Sequence, residues 1–271
     1  MCYKQNLHTH SSFGDGAHTP EEIIERAIAL GFDSIGFSEH SYFKHSTYFA
    51  NRVDNTLEYK AEIYRLKEKY KGRFPVFCGL EVEMYSDAEL VEYDYLIGSV
   101  HYLKVGEEYV GFDVRDPAKL KETIDRYFGS GIEFARAYYK TLSELPSRAK
   151  FDIIGHFDLL TKHREIAALI DTSSKEYLNT AIEAAEALVG RIPYFEVNTG
   201  GVARGYGDYP YPAPELMREL MKLGFGAVIS SDSHNADTLD FGFDTAEELL
   251  RLCGFKERYI LTDNGFVSVA I

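Results

Sequence analysis

Residues 6–16 read NLHTHSSFGDG. Two histidines, His8 and His10, stand one residue apart at the end of an apolar stretch, and a Gly14-Asp15-Gly16 turn follows them. Alternate residues of an extended chain leave on opposite faces. The two imidazoles can therefore share one ion only if the chain bends just past a strand end. The glycine turn then folds Asp15 back to the same cluster. On this reading residues 3–8 are a strand and the histidines stand at its C-terminal end.

Working outward, Thr19-Pro20-Glu21-Glu22 opens a helix, with Thr19 as N-cap, Pro20 in the first position and Glu in the first turn. Ile23, Ala27 and Leu30 share one face, and Gly31 ends the helix. Beyond it, short apolar runs rich in β-branched residues alternate with segments of helical period. Strands are expected over 33–40, 75–83, 93–101, 151–157, 193–199 and 225–234, with a short final one over 266–271. Helices are expected over 56–71, 173–190, 213–223 and 244–253, and a long helical region follows Asp116-Pro117. Roughly seven βα units of this kind imply a mostly parallel sheet, open or closed as a barrel. A barrel carries its active site at the C-terminal ends of its strands. No repeat, low-complexity segment or Pro/Ser-rich linker divides the chain, so one domain over 1–271 is expected.

The nine histidines test that placement. His8 and His10 end the first expected strand, and His40 ends the second in SEH (38–40). His101 closes GSVH (98–101), His156 lies in GHFD (155–158) and His234 in SDSH (231–234). His18, His45 and His163 fall in loops just after such ends. Glu81 and Glu83 end the strand over 75–83, Asp232 ends that over 225–234, and Asp15 lies in the loop after His10. Imidazoles and carboxylates packed together are costly unless compensated, and a divalent metal offsets that cost. The donors are nitrogen and oxygen without sulfur. That set suits zinc, manganese or iron better than copper(I), and has too many imidazoles for magnesium or calcium. The donors exceed the need of one tetrahedral or octahedral ion, so two or three divalent ions are expected.

Composition removes several classes. The chain is 45% hydrophobic and 27% charged, an ordinary globular balance. No apolar run reaches the ~18 residues of a membrane span. The start, MCYKQNLHTHSS, lacks the charged and apolar regions of a signal peptide, so a cytoplasmic location is expected. Cys2, Cys78 and Cys253 are far apart and form no CxxC pair, so they read as reduced thiols rather than as a disulfide framework or thiolate zinc site. The net charge of -14 and the lack of a basic stripe argue against nucleic acid as a partner. A small anion can still bind where metal ions or a few basic side chains make the site locally positive.

HTH with GDG, SEH, GLEVE (79–83) with GSVH, and GHFD with SDSH resemble in order, spacing and strand placement the PHP (polymerase and histidinol phosphatase) superfamily. The resemblance covers nearly the whole chain. It implies a distorted (β/α)7 barrel with a trinuclear site. Carried over by position, His8, His10, Glu81 and Asp232 hold one metal, and Glu81 bridges to a second held by His101 and His156. Asp15, His40 and His234 hold the third, with His18 the alternative to Asp15. Glu83 reads as a supporting or solvated carboxylate. An amidohydrolase barrel also begins with HxH but usually carries a bridging carbamylated lysine on a middle strand. No lysine sits at the ends of 79–83, 96–101 or 153–157.

EVNTGGVARGYGDYPYP (196–212) and GSVHYL (98–103) resemble the histidinol-phosphate phosphatase branch. The resemblance implies two basic residues facing a phosphate. Arg204 is the first, in a loop whose glycines at 200, 201, 205 and 207 permit close approach to a ligand. Lys162, from Lys162-His163-Arg164, is the second, a point charge where arginine would offer a fork. Tyr206, Tyr209 and Tyr211 read as loop packing ahead of substrate stacking, and so do Tyr42, Phe43, Tyr48 and Phe49 ahead of walling a pocket. Glu39 and Asp158 are candidates for holding a substrate amine.

The expected activity is hydrolysis of L-histidinol phosphate to L-histidinol and phosphate, a step of histidine biosynthesis. A hydroxide bridging two ions is the expected nucleophile, attacking phosphorus in line. Glu81, Asp232 and His234 are the expected catalytic residues, and Asp232 or His234 handles the proton of the leaving alcohol. One alternative is a PHP phosphoesterase acting on another small ester such as a nucleoside 3′,5′-bisphosphate. A non-catalytic metal-binding module is the other, and it is disfavoured because every ligand position is filled.

Overall fold

The computed structural model describes residues 3–46, 56–163 and 169–271. Its strands are β1 (Gln5–Asn6), β2 (Ser34–His40), β3 (Val76–Glu83), β4 (Tyr95–Ser99), β5 (Tyr102–Val105), β6 (Glu108–Gly111), β7 (Ile153–Ile154), β8 (Tyr194–Asn198), β9 (Gly226–Ser230), β10 (Glu257–Thr262) and β11 (Gly265–Ala270). Seven of them form one sheet in the order β1-β2-β3-β4-β7-β8-β9. Each neighbouring pair is parallel. The sheet curls until its ends meet at a bridge between Thr9 and Ser233. There His10 N–H donates to Ser233 O at 2.9 Å and Ser233 N–H donates to His8 O at 3.2 Å. The result is the expected distorted (β/α)7 barrel, stitched shut at its C-terminal mouth.

Period-two alternation sorts the side chains of each strand. Ile35, Phe37, Val76, Cys78, Leu80, Val82, Phe195, Val197, Ala227 and Ile229 join the core between sheet and helices. Leu7, Phe77, Tyr95, Ile97, Ile153 and Val228 form a second cluster inside the barrel. The inward columns of β3 and β9 begin apolar and end in carboxylates: Phe77 leads to Gly79, Glu81 and Glu83, and Val228 to Ser230 and Asp232. Tyr95 fills the base of the lumen. Its hydroxyl donates to the carbonyls of Leu7 and Phe37, and its ring lies against Gly36 and Gly79, where a Cβ would collide with it. The β10–β11 hairpin plugs the far end. The Gln5 amide exchanges two 2.8 Å hydrogen bonds with the Leu261 backbone, and Tyr194 packs between Tyr259 and Phe266.

The outer helices form where the sequence signals them. Pro20–Ala29 carries a complete capping box between Thr19 and Glu22 and buries Ile23, Ile24 and Ala27. Asp116, Ser130 and Ser174 cap Pro117–Tyr127, Gly131–Ser143 and Lys175–Leu188. The long helical region after Asp116 is thus broken, with a left-handed Gly129 before the Ser130 cap. Two expected strands shrink to two-residue ladders, β1 and β7. Side chains take their backbone groups: Asn6 Oδ1 accepts His8 N–H at 3.1 Å, and Glu196 Oε1 accepts His156 N–H at 2.6 Å. The β5–β6 hairpin and β10 were not among the expected elements. No helix among the described residues is long and apolar enough to cross a membrane.

Candidate metal centre

The chain bends at His8 as the spacing of the two histidines requires, and their rings lie 5.1 Å apart. Gly14 and Gly16 N–H both donate to Ser11 O at 3.0 Å, closing the turn that carries Asp15. Gly16 sits so close to the His10 carbonyl that no Cβ fits there. Asp15 Oδ1 then lies 3.2 Å from His234 Nε2 and 3.7 Å from His40 Nε2. His18 turns elsewhere and accepts Ala236 N–H at 3.3 Å.

Three groups of donors converge at the mouth: His10, Asp15, His40 and His234; His8, His10 and Asp232; Glu81, His101 and His156. Within each group the donor atoms lie within 4.8 Å of one another. Glu81 stands at the centre. Its Oε1 lies 3.0 Å from His156 Nε2 and 3.4 Å from His101 Nε2. Its Oε2 lies 2.7 Å from His40 Nδ1, 3.5 Å from His8 Nε2 and 3.7 Å from His10 Nε2. Every sequence-derived donor is therefore in this cluster. His10 belongs to two groups that the carry-over by position had kept apart, and His40 Nδ1 reaches across to Glu81.

His8 Nε2 and His10 Nε2 are buried and make no hydrogen bond among the described residues. Orphaned buried polar atoms are costly, and a divalent cation satisfies nitrogen and carboxylate lone pairs at once. The donor set fits such ions. Burial pushes the Glu81 carboxyl up, but His40, His8 and His101 overcome it and hold it well below the usual carboxylate range. Burial opposes charge on His40 as well, yet Glu81 and Asp15 raise it to about 10. Burial and the neighbouring His10 lower His234.

Behind the donors stand three buried glutamates. Glu196 Oε2 accepts from His8 Nδ1 at 2.8 Å. Glu83 Oε2 lies 3.1 Å from His101 Nδ1 and accepts His101 N–H at 2.7 Å, the supporting place expected of it. Glu39 Oε2 lies 3.8 Å from His10 Nδ1, while its Oε1 holds the Ser11 amide at 2.7 Å. Asp158 is buried as well, and its Oδ2 accepts Ala213 N–H at 2.9 Å. The sequence reading assigns Glu196, in EVNTGG, no role; its alternation with Asn198 is the signal that could place it inside the barrel.

Arg204 lies beside the donors. Its Nη2 donates to Asp232 Oδ2 and its Nη1 to Asp232 O, each at 2.8 Å. Asp232 has a left-handed φ of 46°, which turns the chain out of β9. Lys162 is held by Asp113 at 2.5 Å and lies 4.6 Å from the centre of the Tyr206 ring. Asp113 follows the unexpected hairpin and was not singled out by sequence. Tyr211 is buried against Gly201 as packing. Phe43 is buried against Tyr102 and Tyr109, and His45 stacks on Tyr109. Cys78 and Cys253 are buried free thiols. Cys2, Tyr48, Phe49 and Arg164 lie outside the described residues.

The PHP domain family model matches residues 6–200. The chain is 28% identical over 258 residues to the probable histidinol-phosphatase of Deinococcus radiodurans, covering 91% of this chain and 92% of that one. It is also 28% identical over 269 residues to the histidinol-phosphatase of Lactococcus lactis, covering 94% and 93%. The solved Lactococcus lactis histidinol phosphate phosphatase, in complex with zinc, L-histidinol and phosphate, superposes with a TM-score of 0.70. At 21% identity in that superposition, covering 97% of this chain and 98% of the other, the likeness is one of fold.

Proposed function

The chain belongs to the PHP domain family, and from that premise we propose that it is a metal-dependent phosphatase hydrolysing L-histidinol phosphate to L-histidinol and phosphate. The observation that carries the reading is the convergence of three donor groups on one barrel mouth beside Arg204. The names and the nearly full-length coverage of the curated relatives support the choice of substrate.

His8, His10 and Asp232 would hold one divalent ion, Glu81, His101 and His156 a second, and Asp15, His40 and His234 a third, with Glu81 and His10 standing between groups. Two or three ions of zinc, manganese or iron suit these donors. When bound, such ions supply Lewis acidity and an activated water for phosphomonoester hydrolysis. Arg204 presents fixed donors to phosphate oxygens and neutralises charge that grows on them in the transition state. Lys162 is the second cation for that phosphate. Asp232 or His234 would handle the proton that the leaving alkoxide needs. The reading takes residues 1–271 as one domain acting in the cytoplasm on a small ester, without nucleic acid or membrane.

Phosphate release from L-histidinol phosphate by metal-loaded protein tests this, with p-nitrophenyl phosphate and adenosine 3′,5′-bisphosphate beside it and His156→Asn as control. A preference for histidinol phosphate by orders of magnitude, lost in the variant, upholds it. Turnover no faster than that of the generic ester rejects it.

A further inference from the structure

Lys162 and Asp113 pair across the rim of the barrel mouth, Nζ 2.5 Å from Oδ1. The lysine side chain is 12% exposed and the aspartate 26%. Asp113 belongs to none of the three donor groups. It nevertheless faces them: the charges of Lys162, His101 and His156 act on its carboxylate, and its own charge acts on Arg204. Lys162 Nζ takes its Oδ1, and the side chain keeps part of its surface exposed.

A carboxylate at this position is puzzling in a site for phosphate. It repels the anion and cancels the charge of Lys162, a cation placed to bind it. A dianionic or neutral ester gains nothing from it. A phosphate ester that also carries an ammonium group brings one charge of each sign and can take both members of the pair.

We propose, resting on the phosphatase reading above, that Asp113 is the specificity-determining carboxylate for the substrate's ammonium group. It changes partner as Lys162 turns from it to the phosphate. Lys162 needs only a rotation of its flexible stem, and the face of Tyr206 keeps the ammonium at the rim during that swing. Both charges are paired before and after, so binding leaves no charge buried alone. A nucleoside bisphosphate, with no ammonium, would release Lys162 only by stranding Asp113. The ion pair therefore selects for cationic phosphomonoesters.

The test compares wild type, Asp113→Asn, Asp113→Glu and Lys162→Met on L-histidinol phosphate and p-nitrophenyl phosphate, with calorimetric binding of L-histidinol and of inorganic phosphate. Losing a charge-assisted hydrogen bond predicts that Asp113→Asn lowers kcat/KM for L-histidinol phosphate roughly 10–100-fold, through KM, while p-nitrophenyl phosphate, which no longer strands a carboxylate when Lys162 turns to it, is kept or improved. Binding of L-histidinol weakens in Asp113→Asn while phosphate binding is kept, Asp113→Glu recovers part of the loss, and Lys162→Met weakens both substrates. Equal losses on the two substrates in Asp113→Asn would overturn the proposal and make Asp113 a support for Lys162. So would an unchanged affinity for L-histidinol. The wild-type ratio of the two substrates separates this from the reading it rests on: absence of any preference there rejects the phosphatase assignment itself.

Discussion

Asp232 divides its two carboxylate oxygens between a cation and the donor cluster. Oδ2 accepts from Arg204 at 2.8 Å, while Oδ1 lies 3.3 Å from His10 Nε2 and 3.7 Å from His8 Nε2. Arg204 also binds the Asp232 carbonyl, so one guanidinium fixes both the side chain and the left-handed backbone of a donor residue. The guanidinium that the proposed function assigns to phosphate therefore also holds a candidate metal ligand.

This sharing predicts the behaviour of Arg204 variants. Arg204→Ala removes charge-assisted bonds worth about 1.5–3 kcal/mol each, and kcat/KM for L-histidinol phosphate should fall at least about 10–100-fold. Arg204→Lys should not restore it, because an ammonium cannot hold the two Asp232 oxygens in a fork. Steady-state kinetics with metal analysis of each variant decides. A fully active lysine variant would show that charge alone matters at this position.

Glu196 should govern metal affinity without touching an ion. It receives the Nδ1 proton of His8 and also the Ser230 hydroxyl, the Asn198 amide and the His156 backbone N–H. It therefore fixes the tautomer of one donor and the backbone of another. Glu196→Gln should weaken zinc binding by about 10–100-fold in a chelator competition, the usual cost of losing a partner behind a metal-bound histidine. Unchanged affinity would reduce Glu196 to a packing residue.

The order of strands and the donors at their ends were legible because both follow from periodicity and from residue type. His8, His40, His101, His156 and Asp232 could be placed at one mouth from strand ends alone. Asp113 could not. It follows a hairpin, Tyr102–Val105 with Glu108–Gly111, whose short turn around Gly106 gave no helical or strand period long enough to read. Lys162 stands out in the sequence only as a basic residue after a strand end; its partner lies 49 residues away, and ion pairs across loops leave no local pattern. The shrinkage of β1 and β7 was hidden for a similar reason: side chains from Asn6 and Glu196 displace ladder bonds, which no propensity encodes.

Metal binding should release protons. Burial disfavours charge on His8 and His40, but Glu196 and Glu81, respectively, lead the carboxylates that raise them above the ordinary 6.5, His40 to about 10. Both carry a proton near pH 7 in the metal-free protein, and a divalent ion takes only neutral imidazole. Zinc affinity should therefore rise with pH through this range. In the metal-free protein the sign is opposite. The raised values give stability that is fully present below pH 6.5 and is lost as pH rises through the folded value, about 10 for His40. Zinc titrations by calorimetry in two buffers of different ionisation enthalpy should give different apparent heats. Identical heats would mean the imidazoles are already neutral.

Gly79 should be irreplaceable for a steric rather than a conformational reason. A Cβ there would run into the ring of Tyr95, which is 1% exposed and tethered through its hydroxyl to the Leu7 and Phe37 carbonyls. The ring cannot retreat without breaking those bonds, and β3 cannot move outward without disturbing its ladders with β2 and β4. Gly79→Ala should therefore destabilise the barrel by about 1–3 kcal/mol, the usual cost of overpacking a filled core. Gly79 lies two residues below Glu81 on the same inward column, so the shift should also loosen the metal centre. Tyr95→Phe in the Gly79→Ala background frees the ring to move, and the two changes should cost less together than the sum of each alone. Urea unfolding of the two single variants and the double variant measures this coupling. Strict additivity would show that Tyr95 gives way without using its tethers.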